Sequence, residues 1–304
     1  MLRPAIIPIF CLALALSGCR RPAQTATVRT IVTSDKVSVT DVQVPSSAIH
    51  QLLSYRAIVP KGDPSQRFPV LYFLHGANSD PAEVTRSAPI ARYAAEQGLI
   101  VILPDGQHSY FTNARHRSHA RWEDAITQDL VRDVQSRFRA LTEREHTGIV
   151  GISMGGYGAV KIALKHPEEY GFAGTLSGAL DYAERKQSLA SLRQTLRLWR
   201  VFGSGADRTA EDVFHLAQNS PAVHQTTWFA ACGQADTLFD VNFRFAREMR
   251  ERGANFNIVT TPGGHNWQTW NTDLPLLFER AGATLRPTVA RDPTITMPEN
   301  AAYR

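Results

Sequence analysis

The sequence predicts an α/β fold, a mostly parallel sheet with helices on both faces. Short apolar runs of strand length alternate with longer segments of helical periodicity along most of the chain. The string Gly151-Ile152-Ser153-Met154-Gly155 stands between an apolar run and an amphipathic segment. That is the strand–turn–helix setting in which a serine is presented on a sharp elbow. The chain is long enough, at 304 residues with 43% hydrophobic and 20% charged, for one large domain with a substantial core.

The elements follow in order. Lys36 to Val44 alternates valine with polar residues and Leu52 to Val59 follows, which predicts an antiparallel hairpin. Val70 to Leu74 is a short buried strand, Pro81 to Gln97 a helix, and Leu99 to Leu103 a further strand. Glu123 to Leu141 has helical periodicity. Thr147-Gly148-Ile149-Val150 is the strand entering the elbow, and Gly156 to His166 the helix leaving it, stopped by Pro167. Phe172 to Leu176 is a strand, and residues 179–225 are a less regular insertion. Trp228 to Cys232, a helix from Leu238 to Arg252, and Phe256 to Thr260 complete the alternation, with Leu274 to Ala283 as a last helix. Residues 287–304 are expected to form a disordered tail.

The start of the chain reads as a targeting segment. Arg3 gives a positive first region, and the mostly apolar stretch Ile6 to Leu16 is shorter than the ~20 residues of a spanning helix. It ends in Leu16-Ser17-Gly18-Cys19, which resembles a bacterial lipoprotein box. The resemblance implies a signal peptide over residues 1–18, lipidation of Cys19, a membrane partner through that anchor, and a tether over residues 19–34. Arg20 rather than aspartate follows the cysteine, a pattern similar to export to the periplasmic face of the outer membrane. Of the three cysteines, Cys11 leaves with the signal and Cys19 is lipidated. Cys232 alone remains, with no disulfide available to it in the chain, and its apolar surroundings predict a core position. The net charge of +5 comes from dispersed arginines, so no nucleic-acid partner is expected.

A serine hydroxyl becomes a nucleophile only when a base removes its proton, and the base needs an orienting acid. On the predicted fold the chain order is serine, acid, histidine. His265 lies in Thr261-Pro262-Gly263-Gly264-His265-Asn266-Trp267, directly after the last predicted strand. His166 ends a helix, where it can cap the dipole, and His215 and His224 fall in the insertion. The acid should follow the preceding strand, where Asp236 stands in Gly233-Gln234-Ala235-Asp236. Asp240 is the second candidate, better placed to cap or solvate the helix near Leu238. Two backbone amides must hold the oxyanion. Met154 follows the nucleophile, and Ala77 lies in Leu74-His75-Gly76-Ala77-Asn78 after the first central strand. His75 is read there as a residue that shapes the loop.

Together these blocks resemble the esterase D / Putative esterase family of α/β-hydrolases. The matching segments are Pro69 to Gly76, Gly151 to Gly158, Leu176 to Ala179, Cys232 to Asp236 and Pro262 to Trp267. That family includes S-formylglutathione hydrolase, feruloyl and acetyl-xylan esterases, and the mycolyltransferases of the antigen 85 group. The resemblance implies an α/β-hydrolase domain over residues 35–286. It places the nucleophile on Ser153, the acid on Asp236, the base on His265 and the oxyanion amides on Ala77 and Met154. It also implies a small ester as substrate, with no metal or cofactor. Family members often carry segments like Tyr110 to Asn113 and Arg121 to Asp124 beside the pocket, which makes Trp122 a candidate substrate contact.

The departure from the family is the basic run between those segments. Arg115, Arg117 and Arg121 are candidates for attracting an anionic substrate. His116 and His119 have a ligand-like spacing, but on an arginine-rich loop no metal is expected there. Hydrolysis of acylated carbohydrates or similar small esters leads. Acyl transfer to a sugar or lipid alcohol by the same residues is the alternative, and a non-catalytic envelope lipoprotein the third reading.

Overall fold

The computed structural model describes residues 25–183 and 192–286. The expected signal segment, Cys19, part of the insertion and the expected tail after Arg286 lie outside the described residues. Among the described residues nine strands form one sheet in the order β1-β2-β3-β5-β4-β6-β7-β8-β9. β4 (Val70–Leu74), β5 (Ile100–Pro104), β6 (Thr147–Ile152), β7 (Phe172–Leu176), β8 (Thr227–Gly233) and β9 (Phe256–Thr261) run parallel. β2 (Val37–Ser46) and β3 (Gln51–Pro60) form the expected hairpin, which joins the sheet antiparallel through β5.

Alternation along the central strands explains why both faces are covered. In β4, Leu71 and Phe73 point to one side, while Val70, Tyr72 and Leu74 point to the other; all five are buried. The first side packs against α1 (Pro81–Ser87), α2 (Ile90–Gln97) and α11 (Trp267–Leu285), through Val84, Ile90, Tyr93, Leu274, Leu277 and Phe278. The second receives α5 (Met154–Lys165) and α10 (Phe239–Glu251), with Tyr157, Val160, Leu164, Phe245 and Met249. Strands buried on both faces are mostly apolar, which is why they read as near-continuous runs.

Several elements differ from their expected bounds. The helix predicted over Pro81 to Gln97 is two, because Pro89 follows an extended Ala88. The predicted helix from Glu123 comprises α3 (Trp122–Asp124), a π-helical turn (Ala125–Leu130) and α4 (Val131–Arg137). α11 begins seven residues before Leu274, capped by the Asn266 side chain, which accepts from the Thr269 amide. The stretch read as a tether to residue 34 contains a strand, β1 (Thr27–Thr33), paired only with β2. Its seven residues are all exposed, so it carries no apolar alternation against a core to reveal it.

Within the insertion, α6 (Leu192–Phe202), α7 (Ala206–Thr209), α8 (Val213–Asn219) and α9 (Ala222–Gln225) cross the α5 side of the sheet. They are tied down by charge as well as by apolar packing. Lys161 of α5 is completely buried and lies 2.7 Å from Glu123 and 3.2 Å from Glu211. Its ammonium also donates to the Phe111 carbonyl and the Thr112 hydroxyl, each at 2.8 Å. Lys165 reaches the same two glutamates, and His166 bonds Glu123 at 3.3 Å rather than serving only the helix end. Burial opposes ionisation of Glu123, but Lys161, His166 and Lys165 outweigh it and hold the carboxyl well below the usual range. One ammonium thus joins α5, the segment after β5 and the insertion.

Lys161→Met keeps the volume and removes the charge, leaving two glutamates without their central partner. We expect it to cost about 3–5 kcal/mol at neutral pH, measured by urea unfolding. Because folding lowers the Glu123 pKa, its contribution is complete above about pH 4.3 and lost as pH falls toward the folded value. The variant should therefore lose less stability than the wild type on acidification.

Candidate active site

The order of strands creates the site. From β4 the chain crosses to β5 on one side and then to β6 on the other, and ligands bind outside the carboxyl ends of strands at such a switch point. β4 and β6 pair in parallel with Leu74 opposite Gly151. The His75-Gly76-Ala77 turn and Ser153 therefore leave the sheet side by side.

Ser153 sits at φ 55°, ψ −111°, a conformation that costs a non-glycine residue about 1–3 kcal/mol. The surroundings fix it there. Its amide donates to the Leu176 carbonyl at 2.9 Å, and its carbonyl accepts from Tyr157 at 3.1 Å and Ala179 at 3.0 Å. Glycines make the approach feasible. A Cβ on Gly155 would stand 2.1 Å from the Leu74 carbonyl oxygen, and one on Gly151 would stand 2.3 Å from the Gly155 backbone.

β8 and β9 deliver two further groups. Their pairing ends with Gly233 opposite Thr261, and the bonds Gln234 N to Thr261 O and Ala235 N to Gly263 O carry it into the loops. His265 Nε2 lies 2.9 Å from Ser153 Oγ, and His265 Nδ1 lies 2.9 Å from Asp236 Oδ2. With Nδ1–H donating to the carboxylate, Nε2 is left to accept from the serine. The other Asp236 oxygen accepts from the Leu238 amide at 2.8 Å. Burial pushes the Asp236 carboxyl up, but bonds from His265, Leu238 and Ser177 outweigh it and hold it below its ordinary value. Trp270 meets the His265 ring edge-on at 5.0 Å and donates to Ser177 at 3.0 Å, bracing both partners. Asp240 is exposed in the first turn of α10 and makes no bond to His265.

A cavity of about 340 Å³ opens above the serine. Ala77 lines it with Gly76, Ser153, His265 and Trp267, and Met154 opens α5 directly after the serine. His75 does shape the loop: Nδ1 donates to the Gly76 carbonyl at 2.7 Å, while Nε2 accepts from the Gly106 amide at 2.9 Å. Cys232 is buried beneath, 3.8 Å from the Ser177 hydroxyl, and burial pushes its thiol up to about 12.

The basic run does not act as one group. Arg115 pairs with Asp207 at 3.0 Å and Arg121 with Asp124 at 2.5 Å. Neither lines the larger neighbouring cavity of about 470 Å³, whereas Arg117 and the buried Trp122 do. His116 is stacked on Trp199 at 4.0 Å and His119 lies against His50 at 4.2 Å. Arg193, Arg197 and Arg200 of α6 also line that cavity. Sequence reading passed over them inside the insertion, although their i, i+4, i+7 spacing puts them on one helix face.

This sheet, with a serine on an elbow and a histidine–carboxylate pair behind it, defines a serine carboxylic ester hydrolase of α/β-hydrolase fold. The family model described as "Putative esterase" matches residues 46–279, and the chain belongs to that esterase family. It is 26% identical over 243 residues to an acetyl esterase of Caldicellulosiruptor saccharolyticus, covering 73% of this chain and 90% of that protein. Among solved structures, S-formylglutathione hydrolase from Agrobacterium tumefaciens superposes with TM-score 0.72 at 19% identity, over 85% of this chain and 100% of that one. The fluorophosphonate-binding serine hydrolase FphF of Staphylococcus aureus gives 0.71 at 22%, over 81% and 99%. At these identities the two structures establish the fold.

The glycine argument is open to test. Gly155→Ala must displace the backbone of β4 or of the elbow. We expect a thermal midpoint lowered by several degrees and esterase activity largely lost. A variant with wild-type stability and turnover would show that the approach of Leu74 to α5 is not limiting.

Proposed function

We propose that the protein hydrolyses small acyl esters through an acyl-enzyme on Ser153. The observation that carries this is the pair of 2.9 Å contacts linking Ser153 Oγ, His265 and Asp236. Ser153 attacks the ester carbonyl as His265 takes its proton. Asp236 keeps the imidazole in the required tautomer and stabilises the imidazolium. The amides of Ala77 and Met154 hold the tetrahedral oxyanion, a contribution of about 3–4 kcal/mol where single donors have been removed from such sites. His265 then protonates the leaving alcohol, and water attacks the acyl-enzyme by the same path in reverse. Acylated carbohydrates are the proposed substrate class: the family and the acetyl esterase relative support ester hydrolysis, and the carbohydrate part rests on the resemblance to feruloyl and acetyl-xylan esterases.

The proposed setting is the cell envelope, with the mature chain anchored through lipid on Cys19 at the periplasmic face of the outer membrane. The support is the Leu16-Ser17-Gly18-Cys19 segment after a short apolar stretch. More than one acyl chain would make the anchoring stable.

Ser153→Ala should abolish both labelling by an organophosphonate probe and hydrolysis of p-nitrophenyl acetate, with the fold intact by circular dichroism. Labelling that persists would remove Ser153 from the mechanism. Asp236→Asn should lower kcat by about 10⁴-fold, as when the acid of a serine protease triad is changed, and Asp240→Asn should change it little. The reverse order would reassign the acid.

Expressed in a Gram-negative host, the protein should fractionate with membranes and carry lipid on Cys19, and Cys19→Ala should release it. A wild-type chain that is soluble, unacylated and cleaved elsewhere would dispose of the anchor.

A further inference from the structure

The larger cavity lies between the segment after β5 and helix α6. Arg117, Arg193, Arg197 and Arg200 line it, and among the described residues no aspartate or glutamate does. Among the described residues none of these four guanidiniums forms an ion pair, whereas Arg115 and Arg121 nearby are both paired. Three of them recur at i, i+4 and i+7 on α6, a spacing that puts like charges beside one another and weakens a helix. Helix stability therefore does not account for them.

The arrangement is nonetheless fixed in place. The amides of Arg115 and His116 donate to the carbonyls of Val201 and Arg200 at 2.9 and 3.0 Å, joining the Arg117 loop to the end of α6. Leu198 and Phe202 are buried on the other side of the helix. One wall of the cavity is also linked through a hydrogen bond to the turn at the reaction centre. His75, at the start of the turn that carries Ala77, bonds the Gly106 amide, and Gln107, His108 and Ser109 form the cavity wall immediately afterwards. Burial, followed by the charge of Arg197, pushes the His108 imidazole below its ordinary value.

We propose that this cavity recognises a carboxylate or phosphate group carried by the ester, so that the preferred substrate is anionic. Arg117, Arg193, Arg197 and Arg200 are the specificity residues, and Arg115 and Arg121 are not. This rests on the esterase reading above. Exposed guanidiniums act through a screened field, so the preference must weaken as salt rises.

The test uses p-nitrophenyl esters of succinic, adipic and suberic acids, each with its second carboxyl free or converted to the amide. Hydrolysis of the amide-capped esters, lost in Ser153→Ala, tests the parent reading by itself. For the wild type at low salt, the ratio of kcat/KM for free over capped ester should exceed one for at least one chain length. It should be carried by KM and decline in 0.5 M NaCl. The triple variant Arg193→Gln/Arg197→Gln/Arg200→Gln should lower that ratio about tenfold, at the lower end of electrostatic focusing effects. Lysines at the same three positions should restore most of it. Active wild type with no preference at any chain length, or a ratio the glutamine variant leaves within twofold, would overturn the proposal.

Discussion

Everything at the site depends on one close approach of backbone to backbone, the N-terminus of α5 against the end of β4. The distance is set where Gly155 passes the Leu74 carbonyl with no room for a side chain. It is repeated within the elbow, where Gly151 faces Gly155. Because α5 sits so low, Ser153 is forced to positive φ and its hydroxyl is raised from the sheet edge. Because β4 is the strand approached, the Ala77 turn stands beside the same hydroxyl. The local strain is offset by the bonds to Leu176, Tyr157 and Ala179, and by an α5 buried along almost its whole length.

Two buried charge systems then serve different ends. Around Lys161 the charges are balanced by opposite charges, and their effect is positional. They bind the segment bearing Phe111 to α5, where Phe111 packs against His75 at a ring distance of 5.6 Å. Around Asp236 the charge is answered chiefly by hydrogen bonds, and one of the donors is His265, the imidazole that contacts Ser153. The first system holds the wall of the pocket, and the second sets the proton inventory of the serine.

Much of this was legible in the sequence, for identifiable reasons. β4 and β7 have the bounds their apolar runs predicted, since strands buried on both faces are nearly continuous apolar runs. Ser153, Asp236 and His265 each follow a strand whose apolar run was plain in the sequence, so the loops that carry them could be placed in order. Three features were not legible. β1 is exposed on both faces and held only by its ladder to β2, so no pattern marks it. Glu211 meets Lys161 across fifty residues of chain, a pairing that neither local segment announces. The basic run from Arg115 to Arg121 looked uniform, but two of its arginines had partners, at Asp207 and Asp124, that only the fold supplies.

The site is also assembled late. Ser153 and His265 are 112 residues apart in sequence, and the histidine loop hangs from β9, the outermost strand of the parallel half. A chain made from its N-terminus has its elbow synthesised long before its base. Ser153 therefore passes through synthesis without the imidazole that contacts it. On the proposed mechanism ester cleavage begins only when the last strand docks, so turnover reports completed folding more stringently than helix content or compactness can.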